Sequence, residues 1–131
     1  MKIKLNRFES KKTPEKRDDV APDGCDVKVL LGLSRGGMAL FELGANEQSR
    51  AGAHRTIEEI WYFLKGRGEM WRQLDKYEEI VQVEEGTCVT IPTGTKFQIR
   101  SLGPENLLAL GVTMPPWPGP NEWYEVKGKW E

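Results

Sequence analysis

The chain holds one histidine, His54, and five positions later Glu59 enters the apolar run Glu59-Ile-Trp-Tyr-Phe-Leu64. An imidazole and a carboxylate can act as base and acid in a proton transfer when their surroundings set their pKa values apart, which is the chemistry of an isomerase, epimerase or lyase. In an extended strand Glu59, Trp61 and Phe63 share one face, and Ile60, Tyr62 and Leu64 the other. Other reactive types lack a setting. Cys88 lies within Thr87-Cys-Val-Thr-Ile91 with no neighbouring His, Lys or Arg to lower its pKa. Ser34-Arg-Gly-Gly37 is followed by neither Lys-Ser/Thr nor a helical pattern, so it is not a phosphate loop. Cys25 and Cys88 are far apart, without a C-x-x-C partner, and read as two reduced thiols.

These side chains must be held by strands. From Val27 onward, runs rich in β-branched, aromatic and aliphatic residues alternate with Gly, Pro, Asn and Asp turns. The runs are Val27 to Leu33, Met38 to Leu43, Glu59 to Leu64, Glu69 to Leu74, Glu78 to Val83, Thr87 to Ile91, Lys96 to Arg100 and Leu107 to Thr113. They are too short for most helices, and no stretch sustains a 3.6-residue period. The expected fold class is all-β: a single jelly-roll barrel with mostly antiparallel strands. Three regions follow: a basic arm over 1–26 with a strand at Lys2 to Phe8 available for exchange, a barrel over 27–113, and a Pro/Trp-rich tail over 114–131. Met114-Pro-Pro-Trp-Pro-Gly-Pro120 is stiff and extended and cannot feed a hydrogen-bond ladder. The tail, with Trp123, Tyr124, Val126 and Trp130, should pack back on the body, where Trp117 or Trp123 would close one mouth of the barrel or meet a second subunit.

Composition sets the remaining limits. At 131 residues the chain makes one domain. Lys and Arg total 19 against 20 Asp and Glu, for a net charge of −1, which gives no general attraction to nucleic acid or anionic lipid. Mean hydropathy is −0.57 and no apolar run approaches the length of a membrane span. The N-terminus carries no secretory pattern, so a cytoplasmic address is the expectation.

Two stretches resemble the motifs of the cupin family. His54, four residues, Glu59, six residues and Gly66 match the second half of the first motif, and Gly86, Pro92 and Gly94 match the second. The resemblance covers roughly residues 38 to 113. It implies a cupin barrel with Glu59 turned inward, and Met70 and Arg72 facing the same interior, so that Arg72 could pair Glu59 or receive an acidic group of a ligand. Metal-binding cupins use three His and one Glu. Here the first His position falls on Gly52, or on Ala53 under the shorter spacing, and the third on Phe97, while Gln98 points away. A two-ligand remnant implies no cofactor and no tight metal site, with weak metal binding at His54 and Glu59 left open. The expected function is binding of a small organic molecule with an acidic or aromatic part, in a pocket lined by Trp61, Phe63, Met70, Arg72, Phe97 and Ile99. The alternatives are proton transfer by His54 and Glu59, a metal-dependent oxygenase with a reduced ligand set, and a purely structural or regulatory dimer. The resemblance also implies a homodimer.

Overall fold

The computed structural model describes residues 8–131, so the exchangeable strand expected at Lys2 to Phe8 lies almost wholly outside the described residues. Eleven strands follow in chain order: β1 (Asp19–Val20), β2 (Asp26–Leu33), β3 (Gly36–Leu43), β4 (Gly52–His54), β5 (Glu58–Lys65), β6 (Arg67–Leu74), β7 (Tyr77–Glu84), β8 (Cys88–Ile91), β9 (Lys96–Ser101), β10 (Leu107–Met114) and β11 (Trp123–Glu125). A 3₁₀ turn spans Pro120–Glu122. All eight strand runs read from the sequence are present within two residues at each end; β1, β4 and β11 are additional.

The strands form two sheets, ordered β1-β2-β3-β10-β5-β8 and β11-β4-β9-β6-β7. The architecture is an all-β jelly roll with antiparallel pairing, built as two facing sheets rather than one continuously hydrogen-bonded cylinder. Period-two alternation supplies the core. On β5 Glu59, Trp61 and Phe63 are buried between exposed neighbours, and on β10 Leu107, Ala109, Gly111 and Thr113 are buried between half-buried ones. From the opposite sheet come Met70 on β6 and Phe97 and Ile99 on β9, all within 3% of full burial. Gly66 joins β5 to β6 at φ 86°, and a Cβ there would lie 2.3 Å from the Asn106 carbonyl oxygen, so the tight reversal depends on glycine.

Residues flanking the long strands on both sides pack on this body. Cys25, just before β2, is fully buried in the core cluster. Beyond β11, the Val126 amide donates to the Ala51 carbonyl (3.0 Å), and Gln98, on the outer face of β9, exchanges two hydrogen bonds with the backbone of Trp130 (both 3.1 Å). The Arg100 guanidinium lies 4.2 Å from the Trp130 ring centroid. Among the described residues no helix is long and apolar enough to cross a membrane.

Candidate functional site

β4 and β5 bring His54 and Glu59 together at one end of the sandwich. Their exposures are 5% and 3%, and His54 Nε2 lies 2.5 Å from Glu59 Oε1. That carboxylate oxygen occupies the Nε2 side of the imidazole, and Nδ1 has no hydrogen-bond partner among the described residues. The other carboxylate oxygen of Glu59 accepts from Trp61 Nε1 at 3.0 Å. The connection between the two residues is pinned from the tail. Glu122 accepts from the amides of Thr56 (2.7 Å) and Ile57 (3.0 Å) and from the Thr56 hydroxyl, while its own carbonyl accepts from the Arg55 amide (2.9 Å). Burial pushes the Glu122 carboxyl up, but the bonds from Thr56 and Ile57 outweigh it and hold the group below its ordinary value.

Aromatic rings wall the pair. Phe97 lies 5.4 Å from the His54 ring centroid, and Trp117 stands edge-on to His54 at 5.7 Å. Trp61 meets Phe97 at 6.2 Å and stacks on Phe41 at 4.9 Å. Gly52, one of the two positions onto which the cupin motif's first histidine falls, is buried beneath the Trp123 indole; a Cβ at Gly52 would lie 2.0 Å from that ring. A cupin-type metal ion does not fit this donor set. Trp123 fills the space of one ligand, Phe97 occupies the position of another, and no group of three or more His, Cys, Asp or Glu gathers among the described residues. Because the obstacle at Gly52 is a ring, Gly52→Ala should displace Trp123 and cost about 1–3 kcal/mol of stability. Urea unfolding with a red shift in tryptophan emission would report this; an unchanged midpoint would show that Trp123 yields freely.

Arg72 departs from its expected role. Its guanidinium pairs with Glu79 and donates to the Thr90 carbonyl (2.7 Å) instead of meeting Glu59. The reason is register: Arg72 and Glu79 stand directly opposite each other on β6 and β7, where a cross-strand ion pair forms without burying either charge fully. Phe63, Met70 and Ile99 sit in the hydrophobic core together with Trp61, which donates to Glu59, and Phe97, which lies against the His54 ring. Glu58 and Cys88 are exposed.

The sequence reading passed over Asp23, which is 7% exposed; its only signal was the turn-like Pro22-Asp-Gly24. Asp23 Oδ1 accepts from the Cys25 amide at 3.0 Å. Burial pushes the Asp23 carboxyl up, the bonds with Cys25 pull it down, and the nearby Glu59 charge adds to the rise, leaving it above the ordinary value. A carboxyl whose pKa rises on folding costs stability as pH climbs from its unfolded pKa through its folded one. Asp23→Asn keeps an oxygen for the Cys25 amide and removes that titration. The variant should therefore lose less stability than the wild type as pH rises above the ordinary carboxylate range, about pH 4. Parallel pH profiles of Tm would indicate instead that Asp23 ionises without cost.

A family model described as a cupin domain matches residues 39–113. An uncharacterized protein of Methanocaldococcus jannaschii is 38% identical over 64 residues, covering 49% of this chain and 48% of that protein, so the match spans about half of that relative's length. Among solved structures, a variant of Streptomyces Pac13 with uridine superimposes with a TM-score of 0.71 at 13% identity, covering 92% of both chains. Pac13 is a nucleoside dehydratase. KdgF from Halomonas sp. superimposes with a TM-score of 0.69 at 15% identity, covering 84% of this chain and 97% of KdgF. At these identities the structural likeness concerns the fold.

Proposed function

The chain belongs to the cupin family, and from that premise we propose that it binds a small organic molecule at the His54–Glu59 end of the sandwich without a transition-metal ion. The observation that carries this reading is a buried imidazole held against a carboxylate, with Nδ1 free of hydrogen bonds and aromatic rings around it. Buried polar groups are nearly always satisfied, and a mostly apolar site with a few convergent polar groups is the usual form of a ligand pocket. On this reading Trp117, 42% exposed and edge-on to His54, is the gate to the pair. Trp117→Ala should speed modification of His54 by diethyl pyrocarbonate severalfold. An unchanged rate would place the entrance elsewhere.

A second reading, proton transfer of the isomerase, epimerase or lyase class, is favoured by the 2.5 Å approach of His54 to Glu59 and by the likeness to a nucleoside dehydratase. The same proposal carries a homodimer. The outer face of β5 exposes Ile60, Tyr62 and Leu64 by 38–46%, and Leu110 and Val112 of β10 stand opposite Tyr62 and Ile60. A cytoplasmic protein that contacts neither nucleic acid nor membrane agrees with the two free thiols and the net charge of −1.

Three measurements test these points. Screening the full chain against small molecules by thermal shift should find a ligand whose stabilisation depends on His54. Elemental analysis after incubation with Fe, Mn, Ni, Cu and Zn should give less than stoichiometric metal; one tightly held ion per chain would overturn the metal-free reading. Light scattering should give twice the 14.9 kDa chain mass, and the monomer mass would remove the dimer.

A further inference from the structure

β4 and β5 are joined by Arg55, Thr56 and Ile57, and every backbone amide of this connection donates to a single residue of the tail. The Arg55 amide meets the Glu122 carbonyl at 2.9 Å, and the Thr56 and Ile57 amides converge on Glu122 Oε2 at 2.7 and 3.0 Å. The Thr56 hydroxyl donates to Oε1. Two amides on one oxygen and a hydroxyl on the other make a small anion-binding concavity, and Glu122 supplies the anion from within the chain. Glu122 is 5% exposed, a burial that a carboxylate tolerates only with such donors around it. On its other side the connection is tied by the Thr93 hydroxyl, which donates to the Ile57 carbonyl at 2.9 Å.

Both partners in this contact lead to the site. The connection starts from His54 and delivers the chain to Glu59, so its shape sets the 2.5 Å approach of the imidazole to the carboxylate. On the tail side, Glu122 is followed by Trp123, which pairs with His54, and is preceded by Trp117, which stands edge-on to the imidazole. The segment carrying Trp117 is fixed at Met114, opposite Glu58 on β5, and again at Glu122, beside the bond from Arg55 Nε to the Asn121 carbonyl. Residues 118–122 border, with Arg55 and Thr56, a surface cleft of about 320 Å³ that brings solvent to the edge of the clamp. Glu122 lies beyond residues 39–113, the stretch that matches the family model.

We propose that Glu122 is a positioning residue for the site: its carboxylate is a built-in anion that holds the β4–β5 connection, fixes the His54 imidazole against Glu59 and keeps Trp117 seated on the ring. The consequence for a ligand rests on the ligand-binding reading of the His54–Glu59 end. The positioning itself is read without any ligand.

The test observes His54, the sole histidine, in the full chain. A long-range proton–nitrogen spectrum reports the imidazole, and the rate of modification by diethyl pyrocarbonate reports the seating of Trp117, both recorded well below the melting temperature of each variant. Glu122→Ala should shift the imidazole resonances and speed modification severalfold. Sodium acetate at up to about 100 mM, a range suited to a weakly held anion, should bring both back toward wild-type values where sodium chloride at equal ionic strength does not. Glu122→Gln keeps an oxygen for the two amides and turns its NH2 to the Thr56 hydroxyl, so it should stay near wild type. If Glu122→Ala does not fold, Glu122→Asp, which keeps the charge but draws it back from the amides, carries the test with the same expected shifts. Resonances and rate unchanged in folded Glu122→Ala or Glu122→Asp would overturn the proposal and leave the ligand-binding reading in place. Acetate acting no better than chloride on Glu122→Ala would overturn it too, as would Glu122→Gln moving His54 as far as Glu122→Ala, because charge alone would then be at work. Failure to find any ligand bears on the ligand-binding reading alone.

Discussion

Trp61→Ala is expected to lower the unfolding free energy by about 3–5 kcal/mol, the range for removing a large aromatic side chain from a packed core. Trp61 is 1% exposed, stacks on Phe41 at 4.9 Å and meets Phe63 and Phe97 at 6.1 and 6.2 Å. Its loss opens a cavity between the sheets and leaves Glu59 Oε2 without the indole N–H it accepts at 3.0 Å. A buried carboxylate stripped of a donor adds to the cost of the void. Trp61→Phe keeps most of the volume and removes only the N–H, so it should cost clearly less. Urea unfolding of the two variants separates packing from polar support. Equal losses would mean that the bond to Glu59, rather than the packing, dominates; a loss below about 1 kcal/mol for Trp61→Ala would contradict the placement of this residue.

The second large effect concerns ligand affinity. His54→Gln is expected to weaken binding of any molecule held at this end by about 10- to 100-fold, the worth of a hydrogen bond to a charged or strongly polar group in a dry site. Glu59→Gln should weaken it comparably, because the amide still accepts from Trp61 but no longer fixes the imidazole as a carboxylate does. The two residues touch, so the double variant should lose much less than the sum of the single losses. Calorimetry on the four proteins closes that cycle. Additive losses would mean that His54 and Glu59 act separately, and unchanged affinity in His54→Gln would reduce the histidine to scaffolding.

How far the sequence carried depended on strand length. The eight long strands were legible because alternation over several residues, closed by turn residues, is a strong local signal. β4 was not, since Gly52-Ala-His54 is too short to alternate, and β11 follows a proline-rich segment whose docking is a tertiary event. Those two short strands hold the site, one presenting His54 and the other laying Trp123 over Gly52. The inward turn of Glu59 followed from the motif resemblance and from period two, and it is what the structure has. Arg72 shows the limit of that reasoning. Periodicity assigns a face, whereas the partner of a charge is set by register, and only the register reveals Glu79 opposite.

His54 is the only histidine in the chain, so a long-range proton–nitrogen NMR spectrum of the imidazole reports on the site without assignment ambiguity. Recorded while a ligand from the thermal-shift screen is added to the labelled full-length protein, it tests whether the His54–Glu59 end is where the ligand sits. Saturable shifts of the imidazole nitrogens, tracking that ligand's binding curve, are the result expected. A ligand bound to saturation with both ring nitrogens unmoved would contradict it.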